Sequence, residues 1–165
     1  MNRRWVVNAS PLIVLAKIDM LWLLEKLCMD IAIPTGVIDE INEGPVDDPA
    51  RRWIISEGTR FKVRVRNVPR MITAWDLGKG ESQVLSWAYV NKDYEAVLDD
   101  RAARNCANAL GIKVIGSLGL IVLAYRNKLV ADVTPVFQNL KLNGFRIDSK
   151  LISHVIDSLQ EGSNT

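Results

Sequence analysis

Apolar residues along this chain fall into short unbroken runs that alternate with longer stretches spaced by three and four. Trp5-Val6-Val7, Ile31-Ala32-Ile33-Pro34, Ala96-Val97-Leu98 and Ile112-Lys113-Val114-Ile115 are runs of the first kind and read as strands. Between 60 and 66 the alternation is strict. Phe61, Val63 and Val65 share one face, and Arg60, Lys62, Arg64 and Arg66 the other, which predicts a half-buried strand with a basic stripe. Ser10-Pro11 predicts a helix entry, with serine as N-cap and proline at the first helical position. Leu12, Leu15 and Ala16 continue that helix, and Leu23, Leu24 and Leu27 form a second apolar face after a break near Asp19. Further helices are predicted from Thr35 to about Glu43, from Asp48-Pro49 to about Glu57, and from about Glu81 to Asn91. Others run from Arg101 to about Leu110, from Ser117 to about Lys128, from 131 to 142 and from 148 to 159. Strands alternating with amphipathic helices argue for an α/β fold with a mostly parallel sheet, and no internal repeat or low-complexity segment interrupts the pattern.

A length of 165 residues suits one domain with a substantial core, read here as a main body at about 5–130 and a helical extension at about 131–160. A net charge of +2 is too small to announce a nucleic-acid binder. Cys28 and Cys106 lack metal-site spacing and read as reduced thiols of a cytoplasmic protein. The apolar region after Arg3-Arg4 is interrupted by Asn8, Ser10 and Pro11 and ended by Lys17 and Asp19, too short and too charged for a signal peptide or a bilayer span. No membrane partner is expected.

The chemistry gathers where strands end. Asn8 follows the first strand and Asp99-Asp100 a later one, so both fall at the same edge of a parallel sheet, where ligands bind in open α/β folds. Two adjacent carboxylates repel each other and want a cation, either a metal ion or an arginine. Glu81 shares the inward face of its helix with Val84, Leu85 and Ala88, and Glu40 borders the apolar face formed by Val37 and Ile38. One amide oxygen and several carboxylate oxygens from distant segments make an oxygen-rich site suited to Mg²⁺ or Mn²⁺. Partner histidines and cysteines for zinc are lacking. Singly, each residue also has a structural reading. Glu81 complements a helix dipole, Asp100 caps the next helix, Glu40 joins a salt bridge and Asn8 makes a turn.

Four segments in order resemble the PIN-domain family. Val6-Val7-Asn8-Ala9-Ser10-Pro11-Leu12-Ile13 resembles its opening strand and turn, and Ile33-Pro34 with Val37-Ile38-Asp39-Glu40 its second acidic segment. Gly80-Glu81-Ser82-Gln83-Val84-Leu85 is similar to the third. Val97-Leu98-Asp99-Asp100-Arg101-Ala102-Ala103-Arg104 together with Gly111-Ile112-Lys113-Val114-Ile115-Gly116-Ser117 is similar to the fourth. The nearest likeness is to a PIN-like branch related to VapC toxins, over about residues 5–130, and Gly144-Phe145-Arg146 also resembles that branch.

The resemblance implies a three-layer α/β/α sandwich and a Mg²⁺- or Mn²⁺-dependent ribonuclease. Its acidic positions fall on Asn8, Glu40, Glu81 and Asp99 or Asp100. It also implies a cognate antitoxin and a homodimer. Asn8 departs from the family, whose first position is most often aspartate; it keeps an oxygen ligand but removes a full charge, so metal affinity should fall. The alternative is therefore a PIN-like module that binds nucleic acid or a protein without cutting. Ser10, Arg101, Arg104 and Ser117 are candidate RNA contacts. Each has a second reading: Ser10 and Ser117 as helix caps, the arginines as partners of Asp99 and Asp100. The basic stripe from Arg60 to Arg66 reads either as a phosphate contact or as an edge strand protected by charge. Lys79 lacks the spacing of a phosphate loop, and His154 stands alone.

Overall fold

In the computed structural model, which describes residues 2–163, the strands are β1 (Arg4–Val7), β2 (Asp30–Pro34), β3 (Lys62–Val63), β4 (Tyr94–Val97) and β5 (Val114–Ile115). They pair in the order β3-β2-β1-β4-β5, and every pairing is parallel. A parallel sheet is covered on both faces, which is why its central strands carry no polar alternation. Trp5, Val6 and Val7 of β1 and Ala96 and Val97 of β4 are fully buried.

The helices are α1 (Ala9–Lys17), α2 (Trp22–Leu27), α3 (Thr35–Glu43), α4 (Pro49–Ser56) and α5 (Arg70–Thr73), followed by α6 (Lys79–Val90) and α7 (Arg101–Ala109). The last three are α8 (Ser117–Arg126), α9 (Val133–Leu142) and α10 (Ser149–Ser163). They flank the sheet on both sides as an α/β/α sandwich, with α1 packed on α3 and α4, α3 on α6, and α8 on α2 and α9. The extension shares the main core: Val133, Phe137, Leu140, Ile147 and Leu159 are buried in the same cluster as β1. Cys28 and Cys106 are both free and buried, and burial pushes the Cys28 thiol up to about 12, so neither is a reactive thiolate. Among the described residues no helix is long and apolar enough to cross a membrane.

Three sequence expectations shift. The strand expected from 60 to 66 is a 3-10 turn at Gly58–Phe61, two strand residues and then irregular chain, because β3 is an edge strand with only β2 to pair with. Its burial still alternates, and Arg60 spends its charge on Glu25 and on the face of Phe61. That arrangement favours the charged-edge reading over the RNA-contact reading. The N-cap of α1 is Asn8, not Ser10, so Pro11 stands in the first turn but not at its first position. Helix α6 starts at Lys79, drawing Gly80 and Glu81 into its first turn. The short α5 lies in a stretch with no sequence signal for a helix.

Candidate active site

Strand β1 sits in the middle of the sheet with β2 on one side and β4 on the other, and the chain winds away in opposite senses from that junction. The crevice beyond the carboxyl ends of β1 and β4 is thus the topological switch point, where open α/β sheets bind ligands. Register places Asn8 and the Asp99 segment there together, since Val7 pairs with Val97 and the Asn8 N–H donates to the Val97 carbonyl at 3.1 Å. Asn8 is 1% exposed and, although it stands at the N-cap of α1, its side chain makes no capping bond. Its Nδ2 instead donates to Glu81 Oε1 at 3.5 Å, while its Oδ1 is buried with no hydrogen-bond partner. A buried carbonyl oxygen left without a donor is costly and rare, and it is a ready ligand for a cation.

Glu40 arrives from α3. A Cβ built on Gly80 would lie 2.8 Å from Glu40 Oε2 and 3.4 Å from Asn8 Oδ1, so both oxygens crowd the first turn of α6 from which Glu81 projects. Burial, then the charges of Glu81 and Glu43, push the Glu40 carboxyl above its ordinary range. The approach of α3 to α6 is fixed by Gln83, a buried residue whose Oε1 accepts the Gly36 N–H at 2.7 Å. That bond satisfies one of the orphan donors at the start of α3 and sets the relative placement of Glu40 and Glu81. Gly80→Ala tests this crowding. The clash falls on the mobile end of Glu40, and alanine suits a helix better than glycine, so the fold should hold its stability. Mn²⁺ affinity, read by calorimetric titration, should drop about tenfold, the low end of losses for disturbed metal-site supports.

Asp99 approaches from the other strand. Its Oδ1 accepts the Ser117 N–H at 2.8 Å and its Oδ2 the Ser117 hydroxyl at 2.6 Å, which holds the carboxylate at the N-terminus of α8. Ser117 is fully buried, and its hydroxyl is given to Asp99. Asp100 caps α7 through the Ala103 N–H at 2.9 Å, the structural alternative, while still bordering the cavity. Arg101 and Arg104 make no ion pair with either aspartate among the described residues, so the pairing offered as their second reading is not seen. Arg104 Nη1 and Asp99 Oδ1 both stand 3.1 Å from where a Gly116 Cβ would be, so a side chain there would press on both. Ser10 is exposed on α1 and lines the cavity with Glu81, Asp99 and Asp100, which encloses about 420 Å³.

Glu81 therefore faces two ways, toward Asn8 and Glu40 on one side and toward the aspartates across the cavity on the other. Among the described residues no three acids, histidines or cysteines stand close enough to form a ready metal cage. The donors nevertheless fit a hard divalent cation: they are all oxygen, they repel one another, and one is an unpartnered buried carbonyl. Sequence patterning passed over Gln83, Gly80 and Gly116. It passed over Lys17 as well; Phe145 and Arg146, quoted only within a family-like motif, complete the cavity wall with it, from the turn after α9 and from α1. Gln83 was discoverable as a polar residue at an inward position of α6; the others carry no periodic signal.

A parallel sheet of this strand order, with carboxylates gathered at its switch point, is consistent with the α/β/α sandwich of PIN domains. The chain belongs to that family: residues 4–161 match DUF3368, a PIN-domain family. PIN domains are in general nucleases that use divalent metal ions. No curated protein matches the chain.

Proposed function

We propose that this protein is a Mg²⁺- or Mn²⁺-dependent endoribonuclease that hydrolyses RNA phosphodiester bonds. We propose further that it is the toxin of a VapC-like toxin–antitoxin pair, a cytoplasmic homodimer restrained by a cognate antitoxin. The observation that carries the nuclease reading is the meeting of Asn8, Glu40 and Glu81 beside Asp99 at the switch point, with Asn8 Oδ1 unpartnered. Glu40, Glu81, Asp99 and the Asn8 oxygen would hold the ion, with Asp100 on the cavity side. A bound divalent ion lowers the pKa of water and neutralises charge on the phosphoryl oxygens in an in-line displacement. The chain's own groups do the positioning. Ser117 fixes Asp99, Gln83 fixes the α3–α6 approach, and the Asn8 amide steadies Glu81.

Cleavage of a labelled RNA during Mn²⁺ titration tests the reading. Cutting that rises with metal and stops with chelator supports it; RNA binding without cutting at any metal concentration favours the non-cleaving module that Asn8 suggests.

The same titration has a signed pH dependence. The raised Glu40 carboxyl binds a proton more tightly in the folded than in the unfolded chain. Its contribution to metal-free stability is therefore present at low pH and lost as pH rises through the folded value. Metal must displace that proton, so Mn²⁺ affinity should fall with pH sooner than an ordinary glutamate would require. The melting temperature of the metal-free parent relative to that of Glu40→Gln should rise as pH is lowered through the acid range, while the parent's Mn²⁺ affinity falls.

A further inference from the structure

The acid cavity presents a difficulty for a polyanionic substrate. Glu81, Asp99 and Asp100 line it, and RNA phosphates approach such a surface only where cations offset the repulsion. Two cations share the wall: Lys17 in the last turn of α1, and Arg146 just beyond α9. Both are exposed, and neither makes a hydrogen bond or ion pair among the described residues, which leaves them available to an anion.

Arg146 is not on a loose tail. Helix α9 ends with Gly144 at φ +85°, the Gly144 N–H donating to Lys141 O at 3.1 Å and the Phe145 N–H to Leu140 O at 3.0 Å. That paired ending is the Schellman motif, and the left-handed residue it demands is most cheaply a glycine. It fixes Phe145, half-buried against the core, and aims the chain at the cavity. Gly144, Phe145 and Arg146 also line a second, adjoining cavity of about 520 Å³ that holds Lys141. The turn is a ridge between two hollows. One hollow carries the acids; the other carries Lys141 and Arg146, with Asp148 turned to the Lys150 N–H at 2.9 Å.

We propose that the turn Asn143–Arg146 is a binding subsite for the single-stranded RNA next to the scissile bond, Phe145 offering an aromatic face to a base and Arg146 and Lys17 contacting the flanking phosphates. This rests on the ribonuclease reading above. Bases stack on aromatic side chains without regard to sequence, and guanidinium groups grip phosphate in a fixed fork. A strand laid over the ridge reaches both hollows, with Lys141 meeting the phosphate one step beyond. The extension after α8 thus serves substrate capture as well as core packing.

The test is fluorescence anisotropy of a short unstructured RNA on the full chain carrying Glu40→Gln, so that binding is read without turnover, beside steady-state cleavage in the Glu40 parent. Arg146→Ala should weaken binding about tenfold and lower the slope of log affinity against log salt by about one, the signature of a lost phosphate contact. Phe145→Leu keeps the apolar packing and removes the π face; binding should weaken about fivefold or more, the scale of one lost stacking contact. In the cleavage assay both changes should raise KM with Mn²⁺ affinity unmoved. Variants that bind RNA within twofold of the parent, with an unchanged salt slope, overturn the subsite even if the parent cuts RNA. Variants that lose binding in a protein that never cuts RNA uphold the subsite and overturn the ribonuclease reading instead.

Discussion

Glu40→Gln and Asp99→Asn are each expected to lower metal-dependent RNA cleavage by at least about a hundredfold, the scale of removing one preorganised electrostatic group from a transition state. The two substitutions reach that loss differently. Glutamine at 40 removes the carboxylate that Glu81 and Glu43 repel, so the site needs a cation less and holds it more weakly. Asparagine at 99 keeps an oxygen for the Ser117 N–H, and the serine hydroxyl can turn to accept from the new amide. The α8 terminus should therefore stay intact, and the melting temperature of both variants should stay near that of the parent. Loss of activity with retained fold, read by circular dichroism beside the cleavage assay, is the expected pair of results. Both variants cutting RNA at the parental rate would show that the site lies elsewhere.

The second large effect belongs to Asn8→Asp, whose sign depends on metal. Asn8 is 1% exposed and its amide donates toward Glu81. Aspartate loses that donor and sets a third carboxylate against Glu40 and Glu81. Without metal the protein should lose stability on the order of 3 kcal/mol, as when a buried charge is left uncompensated. With Mn²⁺ the added charge becomes a ligand, so the loss should reverse, and cleavage at low metal should match or exceed the parent. Thermal melts with chelator and with Mn²⁺ separate the two states. Equal melting temperatures for parent and variant in both conditions, with no gain in Mn²⁺ affinity, would remove Asn8 from the metal site.

Those effects trace to residues that the chain displays unevenly. The strand segments Trp5–Val7 and Ala96–Val97 are legible because a strand buried on both faces must be apolar throughout, and the structure pairs them side by side. Glu81 is legible because its carboxylate shares a face with Val84, Leu85 and Ala88. Asn8 as N-cap was hidden by Ser10-Pro11, a stronger local signal for a helix start; the site claims the Asn8 side chain, and its backbone still begins the helix. Gly80 and Gly116 matter through what a Cβ would strike, and those atoms come from α3 and Asn8 in the one case and from α7 and the residues just after β4 in the other. No reading of neighbours along the chain contains that information. The same holds for Arg146, which reaches the cavity because a turn after α9 folds back on it.

The strand order has a consequence for the protein's own synthesis. β1 is the centre of the sheet, yet one of its two neighbours is β4, far later in the chain, and Asp99 lies just beyond that strand. Pairings of such long sequence separation form slowly and late. A ribosome-bound chain that has already made Asn8, Glu40 and Glu81 still lacks the wall that would bring Asp99 to them. For the ribonuclease proposed above, the messenger being read meets only an incomplete site until β4 and Asp99 have been translated.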